Sequence, residues 1–399
     1  MRRFSYKPDR VGARWLGVLL LVLVSALALA AAGCGGDDEE GGGDTATDGG
    51  GGEGSIWVLL PDSATSPRWE ADDRRFFDQA FTEAGVDHNI VNAEGDPAQQ
   101  QAQAEQAIAD GASVILLVSN DVGSGGAIID IAKDAGVQVV EYDRFNTGSS
   151  GGAAYVSFDN VLVGATMAEI LEPEIDALGV DKPRVVMLNG GEEDNNAFLF
   201  RDGYAETVEA RVDAGEWELV DDQFVPGWGD NGEGQTIMEQ ILSAANNEVN
   251  AVFAANDNLA QQSINALEAA GVEGALVSGQ DATEAGIQNI LLGKQTMTVY
   301  KPIEAEAAVA AAVALALRNG EDINNVTSDF EFELIGINSE DGKPTEAPEG
   351  EGVVPYFALT PIGVTADNVA DTVIADGFRT IEEVCVGDVM QTDFCEENS

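Results

Sequence analysis

Short, continuous apolar runs alternate with amphipathic helical patterns along this chain from residue 55 onward. Runs in which every residue is apolar, as opposed to every second residue, are typical of strands that are buried on both faces of a parallel sheet. The alternation therefore predicts an α/β fold. Because the chain has 399 residues and its second half repeats the pattern, we expect two domains of this kind.

The pattern assigns each strand and helix to a segment. The predicted strands cover residues 56–60, 88–91, 114–118, 137–142, 185–188, 219–224, 251–254, 275–278 and 296–299. The predicted helices cover residues 68–84, 98–109, 127–135, 161–178, 197–214, 235–245, 259–270, 284–292 and 304–317. Glycines that suit a left-handed C-cap follow four of these helices: Gly85, Gly111, Gly136 and Gly271. The helix over 161–178 has one apolar stripe, which we expect to be buried: Val163, Met167, Ile170, Leu171, Ile175 and Leu178.

The N-terminus has the layout of an export signal. An apolar run from Trp15 to Ala32 follows a basic segment that contains Arg2, Arg3, Lys7, Arg10 and Arg14. The run ends at Ala31-Ala32-Gly33-Cys34, which resembles a bacterial lipobox, although Ala31 stands where such boxes favour Leu. A transmembrane anchor is the alternative, since the run has about 18 residues, the lower limit for a span.

We therefore expect residues 1–33 to be a lipoprotein signal peptide, with Cys34 lipidated. Residues 34–54 are almost entirely Gly, Asp, Glu and Thr, which predicts a flexible tether. The rest of the chain would be extracytoplasmic and lipid-anchored to the outer face of the bacterial cell membrane. In that oxidising exterior, a disulfide between Cys385 and Cys395 is expected, with two free thiols as the alternative.

Composition excludes several classes of function. The chain has 71 acidic and 19 basic residues and a formal net charge of −52, which argues against nucleic-acid binding because that requires a basic patch. The single histidine, His88, and three cysteines exclude His-rich metal sites and four-cysteine zinc sites. No histidine lies near a candidate nucleophile and no GxSxG motif occurs. We expect no enzymatic activity, no cofactor and no metal.

Polar residues follow many of the predicted strands. Ligands of open parallel sheets bind beyond the carboxyl ends of the strands, so these positions are candidates for a binding site. They are Asp62, Asp143-Arg144, Asn189, Asn256-Asp257, Gln280-Asp281 and Lys301. This mixture of donors and acceptors matches several sugar hydroxyls at once, and Trp69 and Trp228 can supply flat apolar faces. The alternative for each residue is a helix cap or, for the tryptophans, a place in the core.

Several stretches of the chain resemble the type I periplasmic sugar-binding proteins, and within them the D-xylose-binding proteins of ABC transporters. They are residues 59–77, 141–145, 155–160, 193–204, 227–231, 254–267, 278–303 and 358–378. The resemblance implies two Rossmann-like lobes with parallel sheets, joined by a three-segment hinge near 158–160, 300–302 and 359–361. It places one lobe at 55–159 plus 302–357, the other at 160–301 plus 358–399, and a sugar in the cleft between them.

The resemblance also implies which residues bind the sugar. The matching positions are Arg68, Trp69, Asp143, Arg144, Asp194, Asn196, Trp228, Asn256, Asp281 and Lys301, and all keep the residue types of the family. Two departures lie elsewhere: the acidic segment 320–357 is longer than expected, and the tail after Phe378 is an extension.

The function expected from this resemblance is that of an extracytoplasmic substrate-binding lipoprotein of an ABC sugar importer. It would bind a monosaccharide, D-xylose before other aldoses, and deliver it to a membrane permease when the lobes close. The chain is expected to act as a monomer. A sugar-sensing protein that presents its ligand to a membrane receptor or kinase is the alternative, and the sequence does not separate uptake from sensing.

Overall fold

The computed structural model describes residues 54–63, 66 and 68–398 of the chain. The signal peptide, Cys34 and nearly all of the tether predicted above lie outside these residues. Fourteen strands lie within them: β1 (Ser55–Leu60), β2 (His88–Asn92), β3 (Ala112–Leu117), β4 (Gln138–Tyr142), β5 (Ala154–Phe158), β6 (Arg184–Asn189), β7 (Glu218–Phe224), β8 (Ala251–Ala254), β9 (Leu276–Val277), β10 (Thr298–Tyr300), β11 (Glu333–Asn338), β12 (Pro344–Thr345), β13 (Val353–Leu359) and β14 (Ile362–Val364).

Eleven α-helices lie between and after these strands in the described part of the chain. They are α1 (Arg74–Ala84), α2 (Pro97–Ala109), α3 (Val122–Asp134), α4 (Asn160–Ala177), α5 (Asn195–Asp213), α6 (Glu233–Ala244), α7 (Asp257–Ala270), α8 (Glu284–Leu291), α9 (Ile303–Asn319), α10 (Ile381–Val384) and α11 (Asp393–Asn398). Two π-helical turns, Trp69–Asp73 and Ala370–Ile374, and three 3₁₀ turns, Pro226–Gly229, Ile323–Asn325 and Gly387–Gln391, complete the described elements. None of the described helices is long and apolar enough to cross a membrane.

The first lobe is built on an eight-stranded sheet with the order β12-β11-β13-β5-β4-β3-β1-β2. The pairs from β13 through to β2 are parallel, while β11 pairs antiparallel with both β13 and β12. Buried strand residues pack on α1 and on the Ala-rich helix α9 on one face, and on α2 and α3 on the other. The continuous apolar runs therefore have the double burial that the sequence predicts.

The second lobe contains a parallel four-stranded sheet with the order β7-β6-β8-β9 and an antiparallel pair, β10-β14. Helices α4 to α7 and the strands of the larger sheet share one core. The chain passes between the lobes three times: between Phe158 and Asn160, between Tyr300 and Ile303, and between Leu359 and Ile362. The single-residue domain boundaries expected from the resemblance stay predictions; strand β13 itself extends to Leu359.

Several details of the sequence prediction are wrong. Helix α3 begins at Val122 and not near residue 127, because the Asp121 carboxylate caps it by accepting a 2.9 Å hydrogen bond from the Ser124 amide. Leu178 follows the end of α4 and is exposed, so it is not part of the buried stripe. The strand predicted over 275–278 shrinks to Leu276–Val277, and the helix predicted from Arg68 begins with a π turn.

The prediction also lacks strands β5 and β11 to β14. Strands β11 and β12 and most of β13 lie in the acidic segment 320–357 that departs from the family, and they extend one side of the first sheet. At the other departure, the tail after Phe378, the structure joins Cys385 to Cys395 in a disulfide.

Candidate functional site

All ten residues expected at the sugar site line one cavity of about 370 Å³ between the two lobes. From the first lobe come Arg68 and Trp69, before α1, and Asp143 and Arg144, directly after β4. From the second lobe come Asp194, Asn196, Trp228, Asn256 and Asp281, and the second crossover along the chain, between β10 and α9, supplies Lys301. Ser66, Phe200 and Gln280 complete the lining.

Arg68 is the centre of a buried network on the first-lobe side. Its guanidinium donates to both carboxylate oxygens of Asp73 at 2.9 Å, to Asp143 Oδ2 at 2.9 Å and to Glu306 Oε2 at 2.6 Å. The same group lies 4.4 Å from the centre of the Trp69 ring. Since Arg68 is only 7% exposed, these contacts fix both the charge and the ring that face the cavity.

Asp143 receives charge from several sides. Its Oδ2 accepts a 3.2 Å hydrogen bond from Lys301 Nζ in addition to the bond from Arg68. Burial opposes ionisation of Asp143, but Lys301, Arg68 and Arg144 outweigh it and hold the pKa of this carboxyl well below its usual range. Burial likewise works against the charge of Lys301, yet Asp143 keeps the lysine pKa above its ordinary value. Both groups are therefore ionised at neutral pH.

Arg144 joins the two lobes. Its Nε lies 3.1 Å from Asp194 Oδ2 in the second lobe, and its Nη1 donates to the Ser119 carbonyl at 3.0 Å in the first. Its guanidinium also lies 5.6 Å from the centre of the Trp69 ring. Burial raises the pKa of Asp194 and Arg144 opposes that shift. Asp194 has a second task, because it caps α5 by accepting from the Asn196 amide at 2.9 Å.

Asn196 is positioned by the close packing of α4 and α5. A Cβ on Gly164 would lie 1.9 Å from the Phe200 carbonyl oxygen, and one on Gly203 would lie 2.1 Å from the Val161 oxygen, so the helices can approach this closely only with glycine at both positions. The approach lets Asn160 Nδ2 donate to Asn196 Oδ1 at 2.9 Å, while Asn196 Nδ2 donates to the Asp143 carbonyl at 3.0 Å.

Trp228 forms part of the second-lobe wall. Its ring packs edge-on against Phe200 with 5.8 Å between centroids. A Cβ on Gly190 would lie 2.4 Å from this ring, so the glycine makes room for it. Phe200 itself was not predicted, although it follows Asn196 by four residues and therefore shares its helix face.

Asn256 and Asp281 make few contacts with the protein. Asn256 Oδ1 caps α7 by accepting from the Leu259 amide at 2.8 Å, which leaves its Nδ2 without a partner among the described residues. Asp281 Oδ1 accepts from Gln280 Nε2. Burial raises the pKa of Asp281, and Lys301 and Arg68 reduce that shift. Both side chains thus keep hydrogen-bonding capacity for a ligand.

Three cavity residues adopt a left-handed backbone that side chains rarely take. The φ angles are +59° at Asp143, +53° at Trp228 and +100° at Asp281. Such conformations cost about 1–3 kcal/mol each and persist where the surrounding structure enforces them, often at functional sites. Backbone strain of this kind is therefore present at three of the loops that turn side chains into the cavity.

Glu306, in the first turn of α9, supports the site from behind. It is fully buried; its Oε2 accepts from Arg68, while its Oε1 has no hydrogen-bond partner among the described residues. Burial raises the pKa of Glu306 to about 8, with Arg68 opposing. The sequence signal for this residue was a glutamate on the buried face of an otherwise Ala-rich helix, and it was missed.

Other polar residues at strand ends do not line this cavity. Asn189 Oδ1 accepts from the Tyr204 hydroxyl and its Nδ2 donates to Asp222 at 2.7 Å. Asp257 accepts from Gln295 Nε2 and the Thr298 hydroxyl at 2.8 Å, which holds neighbouring loops together. Asp62 is also absent from the lining. Asn189 and Asp257 thus bond to neighbouring elements of the second lobe and are neither part of this cavity nor the helix caps given as the alternative.

The cations of the cavity are paired within the protein. Each of the three cations has a carboxylate partner, with N···O distances of 2.9 Å for Arg68–Asp73, 3.1 Å for Arg144–Asp194 and 3.2 Å for Lys301–Asp143. Such an arrangement can donate to and accept from a neutral polar molecule without needing a charge from it. Among the described residues, no group of three or more His, Cys, Asp or Glu side chains could hold a metal ion.

The chain is similar in sequence to a known protein family. A family model for a periplasmic binding protein domain matches residues 57–322. The chain is 36% identical to the D-xylose-binding periplasmic protein of Escherichia coli, over 81% of this chain and 90% of that protein. It is 34% identical to the protein of the same name from Haemophilus influenzae, over 82% and 91%.

A solved structure extends the comparison to three dimensions. The carbohydrate transporter solute binding protein of Chloroflexus aurantiacus, in complex with D-glucose, matches with a TM-score of 0.70 and 25% identity, over 82% of this chain and 97% of that one. The predicted fold, two Rossmann-like lobes with mainly parallel sheets joined by three segments, is confirmed. The chain therefore belongs to the periplasmic binding protein family.

Proposed function

We propose that this protein binds a monosaccharide, with D-xylose preferred, in the cavity between its lobes and serves as the substrate-binding component of an ABC sugar importer. One observation carries the proposal: the ten polar and aromatic residues that resemble a sugar site surround one cavity of about 370 Å³. The internal pairing of Arg68, Arg144 and Lys301 with carboxylates supports a neutral ligand.

The two tryptophans support a sugar in particular. Trp69 and Trp228 border the cavity from opposite lobes, and aromatic faces pack well against the C–H surface of a pyranose ring. Between them, Asp143, Asp281, Asn196 and Asn256 offer acceptors and donors in fixed directions. The names of the E. coli and H. influenzae relatives favour D-xylose, while the D-glucose in a solved relative makes hexoses the main competitors.

Titration calorimetry with D-xylose, D-glucose, D-ribose and L-arabinose tests the proposal. We expect D-xylose to bind most tightly, and Asp281→Asn to weaken binding by about 10- to 100-fold, because hydrogen bonds to a charged group contribute about 1.5–3 kcal/mol. Arg201→Met is the matched control, since Arg201 pairs with Asp222 at 2.9 Å outside the cavity. The absence of heat with all four aldoses would refute sugar binding.

Closure of the lobes would couple binding to transport. A ligand that touches both walls stabilises the closed arrangement by its differential affinity for it, and the three short crossovers are the places that can bend. Small-angle scattering with and without D-xylose should show a smaller radius of gyration in the bound protein. An unchanged radius at saturating sugar would contradict a closing motion.

Membrane attachment through Cys34 completes the proposed function. The sequence Ala31-Ala32-Gly33-Cys34 at the end of the apolar run supports lipidation, which would keep the protein close to its permease. In a bacterial host that processes lipoproteins, the full-length chain should be lipidated and should fractionate with membranes. The Cys34→Ser variant should yield no lipidated mature protein. Identical processing and fractionation of both would contradict the proposed anchor.

A further inference from the structure

The C-terminal tail, residues 376–398, contacts the segments that carry two of the cavity residues. Asp281 is followed by Ala282, and Lys301 is preceded by Tyr300; the tail reaches Ala282 and Tyr300. Only the part of the tail after Phe378, which begins with Arg379, departs from the family pattern, and none of residues 376–398 is among the residues expected at the sugar site.

Arg379 makes the contact with the Asp281–Ala282 turn. Its Nε donates to the Ala282 carbonyl at 3.0 Å, and its guanidinium lies 4.0 Å from the centre of the Phe378 ring. Asp281 and Ala282 have φ angles of +100° and +46°, which are unfavourable for residues with side chains. A turn of this kind needs interactions from outside itself, and Arg379 supplies one from the tail.

The same part of the tail holds the Lys301 segment. The Phe378 ring packs on Tyr300 with 4.8 Å between centroids, and the Tyr300 hydroxyl donates to the Asp376 carboxylate. Together, Asp376, Phe378 and Arg379 therefore contact the Asp281–Ala282 turn and the Tyr300–Lys301 segment. We call these three residues the tail clasp.

The tail clasp is itself anchored. Thr380 and Glu383 form a capping box on α10, and the Glu383 carbonyl accepts from Gln288 Nε2 of α8 at 3.3 Å. Val384 is buried in a cluster that contains Ala282 and Tyr300, and the Cys385–Cys395 disulfide closes the segment that follows. Because the tail is held in place by these contacts, Arg379 can in turn hold the turn at Asp281.

We propose that Arg379 is a positioning residue for sugar affinity: it holds the Asp281–Ala282 turn in the conformation that presents the Asp281 carboxylate to the ligand. This inference rests on the proposed sugar-binding function. Arg379 lines a separate cavity of about 800 Å³, which adjoins the sugar cavity at Asp281 and Lys301. Truncation of the Arg379 side chain therefore does not create a void in the hydrophobic core.

The test is a double-mutant cycle between Arg379→Ala and Asp281→Asn, measured by calorimetry with D-xylose. Arg379→Ala should weaken binding by about tenfold in the wild-type background and by less than about twofold in the Asp281→Asn background, because the first residue acts through the second. Arg379→Lys, which keeps a cationic donor, should recover most of the affinity.

Arg318→Ala is the matched control, because Arg318 Nε also donates to a backbone carbonyl, that of Gly54, at 2.9 Å and far from the site. It should leave the affinity unchanged. Hydrogen exchange supplies a second measurement: the amides of 281–283 should exchange faster in Arg379→Ala, while those of the first-lobe strands should not change.

Sugar binding and the positioning role of Arg379 can be refuted separately. Wild-type protein that binds no aldose refutes the proposed function, and the positioning role with it. Wild-type binding together with an unaltered Arg379→Ala affinity, or with equal losses in both backgrounds of the cycle, refutes the positioning role alone. A lower melting temperature with unchanged affinity would mean that the tail only stabilises the fold.

Discussion

The two walls of the cavity are built on different physical principles. The first-lobe wall is a network of buried charges: Arg68 bonds to Asp73, Asp143 and Glu306, and Tyr142 donates to Asp73 at 2.6 Å. In the second-lobe wall, Trp228, Asn256 and Asp281 stand on turns and helix ends and make few side-chain bonds.

This difference separates stability from recognition. Buried charges are stable only while they remain paired, so a change in the first wall should affect both the free energy of unfolding and the affinity. The second wall keeps donors and acceptors for the ligand, so a change there should affect affinity more than stability. Variants in each wall therefore distinguish the two principles by their effects on unfolding and on affinity.

The largest effect is expected from Arg68→Met. The substitution keeps much of the side-chain volume but leaves three buried carboxyl groups, Asp73, Asp143 and Glu306, without their shared cation. Breaking a buried ion pair from one side costs about 3–5 kcal/mol, so we expect a loss of that size in the free energy of unfolding, together with loss of sugar binding. Urea unfolding and calorimetry measure the two effects.

Arg201→Met provides the comparison for this first-wall variant. Its partner Asp222 is partly exposed, and a pair of this kind contributes about 0–1 kcal/mol. If Arg68→Met were no more destabilising than Arg201→Met, the buried network would not support the fold, and the contrast between the walls would fail.

The next effect is expected from Trp228→Ala in the second wall. Loss of a buried aromatic contact at the centre of a binding site typically costs at least about 2 kcal/mol of binding, so the dissociation constant for D-xylose should rise by about 30-fold or more. The unfolding free energy should fall less than in Arg68→Met. Trp217→Phe, a change in the core of the same lobe, should leave the affinity unaltered.

The opposite pattern in these tryptophan variants would invert the comparison. Unchanged affinity in Trp228→Ala would mean that binding does not depend on this ring at the cavity. An affinity loss in Trp217→Phe as large as that in Trp228→Ala would mean that binding follows the stability of the second lobe.

The sequence predicts the fold and the residues of the site, but not the electrostatic surroundings of each residue. Continuous apolar runs predict doubly buried parallel strands, and the stretches shared with a known family point to ten residues that do meet at one cavity. By contrast, Asp143 and Asp257 both follow strands, and the strand pattern alone does not show how the surroundings of the two carboxyl groups differ. Lys301 and Arg68 lower the pKa of Asp143 against its burial, whereas burial raises the pKa of Asp257 to about 6.

Local sequence patterns also do not reveal which residues far apart in the chain bond to each other in the fold. Arg68 and Glu306 are 238 residues apart, and Arg379 reaches Ala282 across 97 residues. Local patterns contain no record of such pairs. Strands β11 and β13 were missed for a different reason: glycine in β11 and proline in β13 interrupt the apolar signal on which strand prediction depends.

The smallest effect is a pH dependence in the first wall, which Glu306→Gln should reduce. Burial raises the pKa of Glu306 to about 8 in the folded protein, from an ordinary value of 4.5. Between these two values the folded state holds a proton that the unfolded state has lost, so stability falls as the pH rises through this window. One such group changes the free energy of unfolding by at most about 1.4 kcal/mol per pH unit.

Unfolding in urea from pH 5.5 to 8.5 measures this slope. Glu141 and Asp257, whose pKa values burial raises to about 7 and about 6, contribute slopes of the same sign at lower pH, so the clearest window for Glu306 is above pH 7. There Glu306→Gln should lose less stability with rising pH than the wild type. Glu304→Gln, an exposed neighbour in the same helical turn, should retain the wild-type slope. If Glu306→Gln also retained it, Glu306 would be ionised beside Arg68 throughout, and the first wall would carry one more negative charge than its pairing requires.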